Sequence, residues 1–185
     1  MEKRPECVIP LHKPSYKEYA FFFASGILVS IPFALFFSQL YSYVPAIVSV
    51  VVFAPFVEEL AKVFPLFYRH GETERSIVTL GILIGLGFGI SEFVLYVFFL
   101  GAPVLDRIPG IVFHASSAAI TAYGIAKKNP LPYYLLAVVL HLTNNFFALE
   151  TGLGFGFFVE LLVLIVTYIL AWRFYHEASE EKIVV

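Results

Sequence analysis

Six apolar stretches alternate with short polar ones along this chain of 185 residues. They fall at about 19–40, 44–67, 76–100, 108–126, 131–149 and 155–173. A helix rises about 1.5 Å per residue, so some 20 residues cross the roughly 30 Å hydrocarbon core of a bilayer. The pattern therefore predicts an all-α, polytopic membrane protein of about six transmembrane helices. The polar intervals are short. Residues 1–18 contain Pro5, Pro10 and Pro14, which interrupt any helix. Tyr41-Ser42-Tyr43 reads as an interfacial aromatic turn. A charged loop covers 69–75, a short loop holds Asp106 and Arg107, Lys127-Lys128-Asn129-Pro130 closes the fourth span, and a glycine-rich turn lies at 150–154. The simplest organisation is a cytoplasmic amino-terminal segment (1–18), one membrane domain (19–173) and a cytoplasmic carboxyl tail (174–185).

Composition sharpens this reading. Hydrophobic residues make up 59% and charged residues only 14%, a balance that a water-soluble core does not need. No basic tract suggests nucleic acid. Cys7 is the single cysteine, which excludes an intrachain disulfide and a multi-cysteine metal site. The first span follows a mixed polar segment without a small-residue cleavage signal, and reads as a retained anchor. In a six-span arrangement, ten of the twelve Lys and Arg residues lie on one side; Arg107 lies opposite and Lys62 falls inside a span. The positive-inside rule then puts both termini in the cytoplasm, with the plasma membrane as the expected location.

Against this apolar background a few polar residues stand out. Glu58, Glu59 and Lys62 interrupt the second span between Pro55 and Pro65. A carboxylate in the bilayer costs at least ~2.5 kcal/mol on the mildest insertion scales, so it is a functional candidate by default. Lys62, four residues after Glu58 and three after Glu59, can reach either one on a helix and forms a structural ion pair with it. The prolines remove backbone hydrogen bonds and favour local kinking near the acids. In the third span Gly81, Gly85 and Gly89 recur every fourth residue and make a smooth face for a close neighbour. Glu92 follows on the same span, His114 on the fourth, and His141, Asn144 and Asn145 on the fifth. Counted from the outer ends of their spans, Glu92, His114 and His141 lie roughly 10–12 Å deep, and Glu58 and Glu59 slightly deeper. Four successive helices thus carry costly groups into one slab, which predicts a shared polar cavity.

Such a set suits hydrolysis. A desolvated glutamate acts as general base on water. Histidines and a carboxylate from separate helices suit Zn²⁺ with one position left open, and His114, His141 and Glu92 are the expected ligands. The same groups can also activate water without a metal. Asn145 shares a helix face with His141 and can donate to a developing oxyanion. Taken singly, each residue has a plainer role: His114 and His141 as hydrogen-bonded packing residues, Glu92 and the asparagines as interhelical bonds, Ser116 and Ser117 as small packing residues, Glu160 as an interfacial or structural residue.

In their order, Glu58-Glu59-Leu60-Ala61-Lys62 (EExxK), Phe88-Gly89-Ile90-Ser91-Glu92 (FxxxE), His114 and His141-Leu142-Thr143-Asn144-Asn145 (HxxxN) resemble the PrsW-like membrane proteases of the CAAX protease and bacteriocin-processing (Abi) superfamily. The resemblance covers about residues 50–148. It implies an intramembrane endopeptidase acting on membrane-anchored proteins. Glu58 would activate water, Glu59 would orient its neighbours, His114 and His141 would hold the water or a metal, and Asn145 would stabilise the oxyanion. Two positions depart from the CAAX branch, which has an arginine one residue beyond Lys62 and a histidine in place of Glu92. Both departures fit the PrsW-like branch and argue against prenylated substrates. Two other functions fit the same polar residues: a proton or divalent-metal transporter or channel, and a non-catalytic relative that binds membrane segments.

Overall fold

The computed structural model describes residues 11–40, 43–68, 72–149 and 154–184. The first ten residues, with Cys7, the first two residues of the expected aromatic turn, residues 69–71 of the charged loop and most of the glycine-rich turn lie outside them. The described residues are almost entirely helical and contain no strand. Their order is α1 (Tyr16–Leu40), α2 (Ala46–Val48), α3 (Ala54–Val63), α4 (Glu74–Val94), α5 (Val104–Ala126), α6 (Pro130–Phe147) and α7 (Phe155–Glu177). Each of the six expected spans is helical. Three of them, Glu74–Phe99, Val104–Ala126 and Phe155–Glu177, are by length and composition alone long and apolar enough to cross a membrane.

The second span is not one helix. A π turn, Ser49–Phe53, joins α2 to α3, and a 3₁₀ turn, Phe64–Tyr68, follows α3. Pro55 explains part of this. In the π register each carbonyl is served by the N–H five residues on, as Ala54 serves Ser49. The partner for the Val50 carbonyl would be Pro55, which has no N–H. The span therefore breaks its backbone ladder one turn before Glu58 and Glu59.

Packing is densest where α4 meets α5. Along the smooth face of α4, an added Cβ on Gly85 would lie 2.7 Å from the Ala118 Cβ and run into the His114 carbonyl, and one on Gly89 would lie 2.8 Å from the Ile111 Cα. Gly81 meets Ala118 and Ala122 in the same way. Gly87 does the equivalent on the opposite face, against Phe23 of α1, where Gly26 in turn meets Ile84. Small residues thus let α4 sit with its backbone close to both neighbours. α6 and α7 pack on the other side of α5.

The distribution of polarity is inverted relative to a soluble protein. Phe158, Leu162, Ile169 and Trp172 of α7 are exposed, as are Phe21 and Leu28 of α1, while Glu59, Lys62, His114, Ser117, Thr121 and His141 are buried. Apolar surface of that extent belongs against lipid. At the end of the bundle away from these polar groups, the chain after α7 folds back on the start of α4. Glu74 N donates to Lys182 O at 3.0 Å, Val184 N to Glu72 O at 2.8 Å, and Arg75 Nε to Ala178 O at 3.2 Å. The buried Glu74 carboxylate is met by Lys127, by Lys182 at 3.0 Å and by Ser179 N at 3.0 Å. α7 runs to Glu177, four residues past the expected end of its span.

Candidate functional site

Glu59 is the hub. One turn of helix places it and Lys62 on the same face of α3, and both side chains are fully buried. Glu59 Oε1 accepts from Lys62 Nζ at 2.6 Å, from Ser117 Oγ of α5 at 3.1 Å and from His141 Nδ1 of α6 at 2.7 Å. One carboxylate oxygen thus joins three helices. The spacing permits Lys62 to pair with either acid; the donors from α5 and α6 settle on Glu59.

The hydrogen bonds assign both histidine tautomers. An ammonium only donates, so His114 Nδ1, 3.0 Å from Lys62 Nζ, is an acceptor. Its proton is then on Nε2, which donates to Glu92 Oε2 at 2.5 Å. A carboxylate only accepts, so His141 carries its proton on Nδ1 toward Glu59, and its Nε2 lone pair faces Glu58 Oε2 at 3.9 Å. Glu58 Oε2 is buried with no hydrogen-bond partner. Two acceptors therefore face each other, an arrangement complementary to a cation or a proton donor. The rings lie together, with His114 and His141 centroids 5.3 Å apart and Phe113 5.2 Å from His141.

Every expected site residue belongs to this neighbourhood. Glu58, His114 and His141 each offer a ligand atom within 4.8 Å of the others. Two imidazole nitrogens and a carboxylate are donors that Zn²⁺ takes, and a metal on His114 would replace its contact with Lys62 or with Glu92; the Glu59–His141 bond is the carboxylate support that orients histidine ligands in metal sites. Glu92 is held through His114. Asn145 is placed differently from its neighbours: its Nδ2 donates to Val50 O at 3.0 Å, the carbonyl that Pro55 leaves unserved in the π turn. Asn145 thus ties α6 to the segment leading into Glu58 and Glu59. Tyr134 makes a second such tie, from its hydroxyl to Phe56 O at 2.7 Å.

Reasoning from sequence left Ser117 as packing, although it sits one turn from His114 and shares its face, which was the available signal. It left Glu160 as an interfacial residue. In the structure Glu160 lines the same cavity as Glu92, His114, His141, Asn144 and Asn145. That cavity has a volume of about 510 Å³ and extends past Asp106 and Arg107, which lie in the first turn of α5 and not in the expected loop.

Comparison with curated proteins and with solved structures yields no match. A family model does match, over residues 14–172, and its description is PrsW family intramembrane metalloprotease. That range takes in the first five helical stretches, α7 as far as Trp172, and every residue of the site. The chain belongs to the PrsW family of intramembrane metalloproteases and is a membrane-embedded protease.

Proposed function

We propose that the chain cleaves peptide bonds of membrane-anchored proteins with Glu58 as the general base on the attacking water. The observation that carries this reading is the unpartnered Glu58 Oε2, buried and 3.9 Å from the free Nε2 of His141. Glu59 also has a buried oxygen, Oε2, without a partner, but its other oxygen accepts from Lys62, Ser117 and His141, which fixes that carboxylate as a structural hub. Its work is to hold His141 in the tautomer that keeps Nε2 open.

A zinc ion would be held by His114 and His141 with Glu92, already against His114, as the carboxylate, so that the free oxygen of Glu58 remains available as the base. When bound, the ion would acidify a water and polarise the substrate carbonyl. Glu58 takes a proton from the attacking water as the water oxygen bonds to the scissile carbon. It returns the proton to the amine as the C–N bond breaks. Asn144 lines the cavity and its amide makes no hydrogen bond among the described residues, so it stands ready to donate to the oxyanion. Asn145 contributes to the same end by holding the Ser49–Phe53 turn, and with it the position of Glu58. The cavity reaches the Asp106–Arg107 turn at the start of α5, an end of the bundle that the charge distribution of the chain assigns to the exterior, with both termini in the cytoplasm of a plasma-membrane protein.

The test is cleavage of a panel of single-span reporter proteins in liposomes. Wild type, Glu58→Gln and His141→Ala are compared with and without a chelator. Both variants are expected to lose cleavage by at least about 100-fold, the scale of general acid–base contributions, while remaining folded. Retained cleavage by Glu58→Gln removes Glu58 as the base.

A further inference from the structure

Tight packing explains six of the glycines in the helices. A Cβ added to Gly26, Gly81, Gly85, Gly87, Gly89 or Gly124 would come between 2.0 and 2.8 Å from a neighbouring atom. Gly110 of α5 is different. A Cβ there would meet nothing within 4 Å. Its φ is not positive, so the backbone does not call for glycine either. Glycine inside a helix is less stable than alanine, because the unfolded chain has more freedom to lose. Gly110 therefore carries a cost that neither the packing nor the backbone of α5 accounts for. The space it leaves belongs to the cavity of the site, which Gly110 lines together with Glu92, His114 and His141. It stands one helical turn, about 6 Å, from His114 on the side of the Asp106–Arg107 turn. Helical periodicity puts Gly110, Phe113, His114 and Ser117 on one face of α5. Phe113, with its ring 5.2 Å from that of His141, is part of the apolar lining of the cavity, and Phe157, Leu161 and Leu164 of α7 supply more of it.

We propose that Gly110 is a specificity-determining residue, and that the space beside it receives a large apolar side chain of the substrate close to the bond that is cut. The proposal rests on the proteolytic reading of the site. An extended chain advances about 3.3 Å per residue, so a substrate whose scissile carbonyl lies at His114 and His141 passes Gly110 within about two residues of that bond. A side chain on α5 at this position would occupy the space itself. Its absence lets a phenylalanine or leucine of the substrate exchange lipid or water for the apolar lining of the cavity. Differences of one or a few methylenes in such a pocket change rates tenfold or more. The chemical class of substrate is a membrane-anchored segment with a bulky apolar residue beside the cut, and the size of residue 110 sets how bulky it can be.

The experiment uses single-span reporters, identical except that successive positions in the outer half of the span are set in turn to Ala or Phe. Wild type, Gly110→Ala and Gly110→Leu are compared in liposomes, and their melting temperatures are measured in micelles. At one or two adjacent positions wild type is expected to cut the Phe reporter about tenfold faster than the Ala reporter. Gly110→Ala lowers that ratio and Gly110→Leu brings it to about one or below, while the ratios at other positions stay as in wild type. A general structural defect slows every reporter alike and leaves the ratios alone. Gly110→Ala is expected to melt at or above the wild-type temperature. A clearly lower one shows that the fold itself needs the glycine and overturns the proposal. A parallel arm measures binding of the same segments, as fluorescent peptides, to Glu58→Gln and to Glu58→Gln/Gly110→Leu. The Phe peptide is expected to bind Glu58→Gln more tightly than the Ala peptide at the same positions, and to lose that advantage in the double variant. Cutting by wild type with ratios that Gly110→Leu does not change overturns the pocket and leaves proteolysis standing. Absence of cutting by every form, with the binding preference present and lost in the double variant, overturns the proteolytic reading and leaves the pocket standing. Absence of cutting together with equal binding of Ala and Phe peptides overturns both.

Discussion

Lys62→Met is the perturbation that tests the buried network most directly. The methionine fills much of the same space and deletes only the charge. Lys62 Nζ lies 2.6 Å from Glu59 Oε1, 3.0 Å from His114 Nδ1 and 3.3 Å from Ser117 Oγ, all in the interior. Charges 2.6 Å apart attract by about 6 kcal/mol at an effective dielectric of about 20, and the desolvation of Lys62 offsets part of that. Removing one partner of a buried pair costs about 3–5 kcal/mol, because the other charge is left uncompensated. We expect that loss for Lys62→Met in equilibrium unfolding from mixed micelles. Lys62→Met/Glu59→Gln removes the stranded charge as well, and is expected to be about 2 kcal/mol less destabilised than the two single losses added together. Neither variant should cleave: the first frees His114 Nδ1 from the donor that sets its tautomer, and the second weakens the support of His141. A Lys62→Met protein within about 1 kcal/mol of wild type, or strict additivity of the two substitutions, refutes the network as described.

Further outcomes follow from other contacts. Asn145→Leu strands the Val50 carbonyl beside the π turn and is expected to cost about 1–3 kcal/mol in the same unfolding assay, with cleavage reduced because the turn leads into Glu58. Gly85→Ala drives a methyl into the His114 carbonyl and the Ala118 Cβ; overpacking of this kind costs about 1–3 kcal/mol, and a melting curve and cleavage assay on the same sample should both fall. Metal analysis of purified protein is expected to find bound zinc in wild type and a reduced content in His114→Ala and His141→Ala, with cleavage abolished by a chelator and restored by added Zn²⁺. Tyr134→Phe removes the hydroxyl that donates to Phe56 O and should cost about 1 kcal/mol, a smaller effect than Asn145→Leu because Phe56 lies in an intact helix.

The agreement between sequence and structure has a physical basis that also explains its limits. The six helical stretches were legible because the cost of placing a side chain in lipid is local and additive, so an apolar run declares itself without knowledge of its neighbours. The glycine face of α4 was legible for a similar reason: helical periodicity aligns Gly81, Gly85 and Gly89 whatever packs against them. The polar residues were legible as a set because each is expensive where it lies, and a shared depth follows from counting along each helix.

What the sequence determined by itself, then, is the position of the six helical stretches, the face that packs closely, and the identity of the polar residues held inside; the break of the second stretch into α2 and α3 it did not show. Tertiary structure alone decided how those residues divide their roles. Glu58 and Glu59 are both within reach of Lys62 along α3, and the choice between them was made by Ser117 and His141 arriving from α5 and α6. Asn145 shares a helix face with His141, yet its amide is taken by a carbonyl that exists as an acceptor only because the second span adopts a π turn ahead of Pro55. Glu160 looked isolated in an apolar helix and turned out to face the cavity. In each case the deciding quantity is the rotation of one helix about its axis relative to another. Hydropathy is blind to that angle, which is set by the packing of small residues and by the hydrogen bonds that buried polar atoms must find.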